Sequence, residues 1–270
     1  MVIGLLAGRG NVGRTSLSLA LARLAAERSK VSLYEYDVVS PKLIPFFPWQ
    51  AEEVKRRITD IDREKCTLAG KCLEACQFGV IKREGDSVRH RLHLCRGCGA
   101  CREVCPERAI VWKEVPCGEI GRGEQGNVTL HAARLRPEEG WDGFLTRKLR
   151  ETFPQQGDAV LKAPLGLSAP ALRTVKDSEA FVLVSTVHPQ VEDEVKVFGE
   201  IIQGFGVPGA VVLNLSAAVP ESVSRLCQSL GLTTFSLPRV EGLAPGRELL
   251  AEAPELRPTL EEIIAWGGGK

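Results

Sequence analysis

The chain has 270 residues, 44% hydrophobic and 26% charged, a composition that excludes a disordered or fibrous protein and leaves room for one large domain or two small ones. Lys and Arg number 35 against 34 Asp and Glu, a net charge of +1, so neither nucleic acid nor a charged membrane surface is indicated as a partner. Of nine cysteines, seven (Cys66, Cys72, Cys76, Cys95, Cys98, Cys101 and Cys105) fall in one 40-residue stretch, and only Cys117 and Cys227 lie outside it, which points to metal before disulfides.

Val2 to Ala7 is a short apolar run with no basic segment before it and no small-residue cleavage site after it, which predicts a buried strand and not a signal peptide. No apolar stretch approaches the roughly 18 residues of a membrane span. A cytoplasmic, reducing location is therefore expected, where thiols stay free for metal. Gly8, Gly10 and Gly13 follow, then Leu17, Leu19, Leu21, Leu24 and Ala25 fall mostly on one helical face, and Val31 to Tyr36 is a second strand. That order opens a βαβ unit with a parallel sheet. From about Thr59 to Lys113 periodicity fades. Beyond it, strands are expected at Asn127 to Leu135, Ala159 to Leu161, Phe181 to Ser185, Ala210 to Leu215 and Thr233 to Ser236. Helices are expected at Trp141 to Phe153, Val191 to Phe205, Glu221 to Leu230 and Gly246 to Ala253, and Gly267 to Lys270 reads as a flexible tail. The alternation predicts a doubly wound, mostly parallel α/β domain, residues 1–57 plus 114–270, interrupted by a cysteine-rich insertion at 58–113.

The insertion repeats itself: Lys65 to Ile81 and Leu94 to Ile110 carry cysteines in one frame, and a segment so poor in apolar residues needs another organiser. The second half reads Cys95-x2-Cys98-x2-Cys101-x3-Cys105-Pro106, the run that holds [4Fe-4S] clusters, with the fourth cysteine serving the other cluster of a pair. The first half has the same frame with Ala69 at the second position. Crossed ligation then gives Cys76, Cys95, Cys98 and Cys101 to a complete cluster A. Cluster B is left with Cys66, Cys72 and Cys105, which suit a [3Fe-4S] cluster or a [4Fe-4S] cluster whose odd iron takes a water, a small ligand or a partner's residue, with an empty or labile second site as the alternative. Zinc knuckles would use paired C-x2-C units with longer spacers. The two halves resemble the 2[4Fe-4S] ferredoxin module, apart from Ala69.

Gly8-Arg9-Gly10-Asn11-Val12-Gly13-Arg14-Thr15, with Ser16 beside it, follows a strand and opens a helix, the context of a phosphate loop, but Arg14 stands where G-x4-G-K-[ST] has lysine. Loop amides and Thr15 remain able to meet an anion and Mg2+. With the cysteine repeat, these residues make the chain resemble the MinD/ParA-type P-loop ATPases that carry an inserted ferredoxin domain. The resemblance implies a cross-dimer lysine at the place of Arg9, a phosphate lysine at Arg14, a water-positioning aspartate at Asp37, a metal aspartate at Lys162 and an adenine-side asparagine at Asn214. Both lysines and the metal aspartate are replaced, so ATP and Mg2+ are doubtful cofactors and hydrolysis is expected to be lost. Lys162 is expected to act as an internal counter-charge, for example to Asp37.

His90 and His93 read as a solvated basic hairpin, Trp112 as a packing anchor, Arg134 to Arg150 as a solvated basic face, and Cys117 and Cys227 as bystanders. The expected function is an electron-transfer protein on a degenerate ATPase scaffold, more a carrier than an enzyme. Its expected partners are a second copy or a MinD/ParA-type ferredoxin paralogue, and a redox enzyme of anaerobic metabolism. An ATP-dependent factor that assembles or transfers a cluster or metal cofactor is the alternative, and a zinc-stabilised regulatory module the third reading.

Overall fold

The structure, a computed structural model, describes residues 1–137, 139–240 and 249–268. In chain order its main elements are β1 (Val2–Leu6), α1 (Arg14–Ala25), β2 (Val31–Glu35), β3 (Gln50–Ile61), α2 (Lys71–Ala75), β4 (Ile81–Glu84), β5 (Ser87–His90), α3 (Ala100–Glu103), β6 (Ile110–Gln125) and β7 (Val128–Leu135). They continue with α4 (Asp142–Thr152), β8 (Asp158–Lys162), α5 (Ala169–Lys176), β9 (Ala180–Ser185), α6 (Val191–Phe205), β10 (Gly209–Asn214), α7 (Glu221–Ser229), β11 (Thr233–Leu237), α8 (Leu249–Glu252) and α9 (Arg257–Gly268).

One sheet runs in the order β11-β10-β9-β1-β8-β2-β7-β6-β3, and β4 pairs with β5 in a separate antiparallel hairpin. The six pairings from β11 to β7 are parallel. Gly126 and Asn127 alone join β6 to β7, a link too short for a parallel crossover, so these two strands are antiparallel. Strands covered on both faces need apolar residues at every position, and β1 and β9 are buried along their whole length. This is the mostly parallel α/β sheet that the alternation predicts.

The chain divides into two compact units. The first comprises residues 1–51, 120–134 and 146–270, and the second 52–119 and 135–145. The second unit thus takes in 52–57, 114–119 and 135–145 beside the cysteine segment expected at 58–113. Arg56 accounts for this: its buried guanidinium donates to the carbonyl of Cys95 at 2.9 Å, pairs with Glu139 at 3.0 Å and lies 4.7 Å from the Trp141 ring centroid.

Several elements differ from expectation. In β3, Val54, Arg56 and Ile58 alternate inward, and a cation in an apolar slot hides the two-residue period. β6 is a strand where no element is expected from the sequence, and it contains Pro116, Gly118, Gly121 and Gly123, residue types that strands disfavour. Gly121 serves close approach, since a Cβ there would lie 2.0 Å from the carbonyl oxygen of Gln50. The helix expected from Gly246 is seen at Leu249–Glu252, and 246–248 lie outside the described residues. Gly267 and Gly268 are not a flexible tail but the last turn of α9, whereas 269–270 lie outside the described residues. Gly267 is buried, and a Cβ there would meet Ile3 Cδ1 at 2.4 Å. Gly267→Val should therefore cost about 1–3 kcal/mol by overpacking, read as a lower urea midpoint at unchanged slope. An unchanged midpoint would mean that the end of α9 can move away without loss.

Candidate metal centre and phosphate loop

The two cysteine halves are equivalent in backbone as well as sequence. Left-handed conformations recur at matched positions: Leu68 with Gly97 (φ 63° and 62°), Gly70 with Gly99 (83° and 82°) and Gly79 with Arg108 (59° and 50°). The same turns follow, Leu73 N to Gly70 O at 2.9 Å and Arg102 N to Gly99 O at 2.8 Å. Each half thereby swings its first three ligand positions around one hollow and sends the fourth to the other.

Cys76, Cys95, Cys98 and Cys101 line one cavity, together with Thr59, Phe78 and Arg96. Cys66, Cys72 and Cys105 line a second, with Ala69 in the frame position of Cys98. These are the groupings given by crossed ligation. Four thiols on one cavity and three on the other form the soft thiolate donor set that holds iron-sulfur clusters.

Sulfur atoms in the first cavity receive hydrogen bonds. The Thr59 hydroxyl lies 3.4 Å from the sulfurs of both Cys95 and Cys101, and the Gly97 amide donates to Cys95 at 3.4 Å. Burial pushes the Cys95 thiol up, but the nearby His90 ring and hydrogen bonding from Thr59 and backbone amides outweigh it and bring the thiol down to about 6. His90 is accordingly half-buried beside Cys95 and is not part of a fully solvated hairpin, while His93 is exposed. Trp112 packs as an anchor, with the Arg57 guanidinium 3.9 Å from its ring centroid. Cys117 and Cys227 line neither cavity and are buried thiols raised by burial to about 11.

The glycine loop lies in the first unit, at the carboxyl end of β1, where α/β sheets place ligands. Gly13 adopts φ 87° to start α1, and a Cβ there would strike Asn214, whose amide donates to Val12 O at 2.9 Å. Asn214 therefore braces the loop from below. Gly10, Gly13, Arg14, Thr15, Ser16, Asp37 and Asn214 all line one cleft of about 610 Å³. Gly8 does not line it: its amide donates to Glu194 Oε1 at 2.9 Å, so a carboxylate of this chain already occupies that donor. Arg9 is likewise engaged within the chain, donating to Thr186 Oγ1 at 2.6 Å.

Beneath the loop sits a buried group of charges. The strand register sets Glu35 of β2 directly beside Lys162 of β8, and Lys162 Nζ lies 2.7 and 2.9 Å from the two Glu35 oxygens, both residues being 0% exposed. Asp37 is 3.9 Å from Lys162 and is held more closely by Arg14 at 3.0 Å. Lys162 thus pairs with Asp37, as expected, but Glu35 is its nearer partner, because residue 35 shares a ladder position with 162 and residue 37 lies past the strand end. Burial pushes Lys162 down and Glu35 up, and the attraction of each for the other opposes both shifts. Sequence reasoning missed Glu35. The available signal was a lone carboxylate inside an otherwise buried strand.

Residues 58–106 match the 4Fe-4S dicluster domain family. Over its whole length the structure is similar to the septum site-determining protein MinD complexed with Mg-ADP from Pyrococcus horikoshii (TM-score 0.53, 13% identity, 98% of this chain and 94% of that one). It is also similar to an ATP complex of a variant of Cyanothece McdA (TM-score 0.56, 11% identity, 99% and 96%). The chain is a MinD/ParA-like P-loop fold carrying a ferredoxin-type 4Fe-4S dicluster domain. In sequence it is 28% identical over 239 residues to the uncharacterized protein MJ0578 of Methanocaldococcus jannaschii, covering 79% of this chain and 78% of that protein. MJ0579 of the same organism is 21% identical over 221 residues (79% and 80%). The dicluster segment alone is 36% identical over 50 residues to the pyruvate synthase subunit PorD of Methanothermobacter marburgensis, spanning 18% of this chain and 58% of that subunit. Among the described residues no helix is long and apolar enough to cross a membrane.

Proposed function

We propose that this chain is an iron-sulfur electron carrier on a P-loop body that no longer hydrolyses nucleotide. The pair of cysteine-lined cavities carries the reading, one with four thiols and one with three. Iron-sulfur clusters supply reversible one-electron transfer when bound. Cys76, Cys95, Cys98 and Cys101 would hold a [4Fe-4S] cluster, and Cys66, Cys72 and Cys105 a second cluster. The Thr59 hydroxyl and the Gly97 amide withdraw charge from the ligand sulfurs and so favour the reduced form. Thr59→Val is expected to lower the potential of the first cluster, measured by a redox titration followed by EPR. An unchanged potential would remove Thr59 from this role.

Loss of hydrolysis follows from charge. A metal aspartate would attract Mg2+, whereas Lys162 repels it and already neutralises Glu35, and Asp37 is engaged by Arg14. Phosphoryl transfer depends on positioned charge, so the purified protein should show no Mg2+-dependent ATP turnover above a blank. Robust turnover would overturn this part and favour the ATP-dependent assembly or transfer factor. One observation keeps nucleotide binding without hydrolysis as a second reading: the cleft of about 610 Å³ persists beside the loop. Nucleotide titration by calorimetry tests it.

As partners we propose a second copy or a paralogue, and a redox enzyme. Two proteins of one organism resemble this chain over 79% of its length, which suits a paralogous pair, and the likeness to a pyruvate synthase subunit suits an enzyme partner. Anaerobic purification with iron and sulfide counts tests the whole reading. Zinc without iron would sink it.

A further inference from the structure

Ala69 and one carboxylate, Glu107, line the same cavity. Repeat-related residues frame each cavity, since position 67 is equivalent to 96 and position 78 to 107. At the four-thiol cavity the pair is Arg96 and Phe78, with the guanidinium 5.9 Å from the ring centroid. At the three-thiol cavity it is Thr67 and Glu107, the Thr67 hydroxyl donating to Glu107 Oε1 at 3.4 Å. Where the four-thiol cavity has Cys98 and Phe78, the three-thiol cavity has Ala69 and Glu107, and Glu107 lines it with Cys66, Cys72 and Cys105. Ala69 contributes only a methyl group, as exposed as Cys98 at the matched place. Three thiolates leave one iron of a four-iron cluster without a protein ligand. A carboxylate is anionic at neutral pH and is a competent oxygen donor to iron.

We propose that Glu107 is the fourth protein ligand of a [4Fe-4S] cluster held by Cys66, Cys72 and Cys105, with Thr67 positioning its carboxylate. The inference rests on the reading that the dicluster segment holds iron-sulfur clusters in both cavities. It makes the second site a three-thiolate, one-carboxylate site in place of a degraded one.

The test uses the full chain, purified and kept anaerobic, with iron and sulfide counted per chain and EPR recorded on oxidised and reduced samples. The parent is expected to hold about eight irons, two four-iron clusters, and to give no oxidised [3Fe-4S] signal. Glu107→Gln keeps the shape but removes the anionic donor. It should lose one iron per chain and acquire the oxidised [3Fe-4S] signal, with the spectrum of the four-thiolate cluster unchanged. Adding Ala69→Cys to Glu107→Gln should restore the lost iron and abolish that signal. A parent that already shows the [3Fe-4S] signal, or a Glu107→Gln variant with unaltered iron and spectra, overturns the assignment while leaving the cluster reading intact. A parent with zinc and no iron overturns the cluster reading itself.

Discussion

The Lys162→Met variant is expected to unfold with about 3–5 kcal/mol less free energy than the parent, the largest single effect in the first unit. Methionine fits the lysine volume, so packing changes little, but Glu35 is left buried without its cation 2.7 Å away. Burial already pushes Glu35 above the usual carboxylate range with Lys162 present, and without Lys162 it should take up a proton in the native state. A carboxyl whose native value is raised stabilises fully below its ordinary unfolded value, and the stability is lost as pH rises through the native one. The variant's deficit should therefore grow with rising pH, from the ordinary glutamate value upward. Lys162→Met combined with Glu35→Gln removes both charges while the Gln amide oxygen can still accept from the Asp37 and Leu43 amides that Glu35 now serves, and should recover most of the loss. Urea unfolding of the two variants across pH measures this. Equal stability of Lys162→Met and parent would mean that the ion pair does not hold the strand ends together.

Removing iron should open the second unit and leave the first closed. The second unit's apolar core consists of Ile58, Val80, Ile81 and Ile110 packed around Cys95 and Cys101, with other cysteines at its edge. An apolar core in so small a unit supplies at most about 3–5 kcal/mol, so bound metal is expected to contribute folding energy directly. The first unit has extensive apolar layers of its own, with Ile3, Leu5, Leu33, Leu130 and Val160 on one side and Phe181, Leu183, Val195 and Val211 on the other. Chelation, or Cys101→Ala, should abolish hydrogen-exchange protection across 52–119 while strands β1, β8, β9 and β10 stay protected. Retained protection in both units would show that the apolar core of the second unit suffices alone.

Much of this was legible in the chain because the information is local. Ligand spacing within each half sorts the cysteines into a group of four and a group of three, and the buried strands β1, β8, β9 and β10 announce themselves as apolar runs. Elements whose residues serve two constraints were not legible. Arg56 stands at an inward position of β3 because it ties the Cys95 carbonyl to Glu139, and Gly121 of β6 allows the backbone of β3 to come close. Gly267 read as a tail because glycine carries no pattern, although Ile3 leaves room for nothing larger.

The sequence by itself determined the parallel α/β body, the repeated cysteine frame, the absent cysteine at Ala69 and the odd cations at Arg14 and Lys162, since each depends on neighbours a few residues away. Only the tertiary structure decided which groups answer those oddities. Glu35 lies 127 residues from Lys162 and becomes its partner through the register of β2 and β8. Glu107 lies in the other half of the repeat from Ala69 and reaches the same cavity through the repeat's crossed geometry. Charges and ligands act through space at a few ångströms, and folding, not chain order, sets those distances.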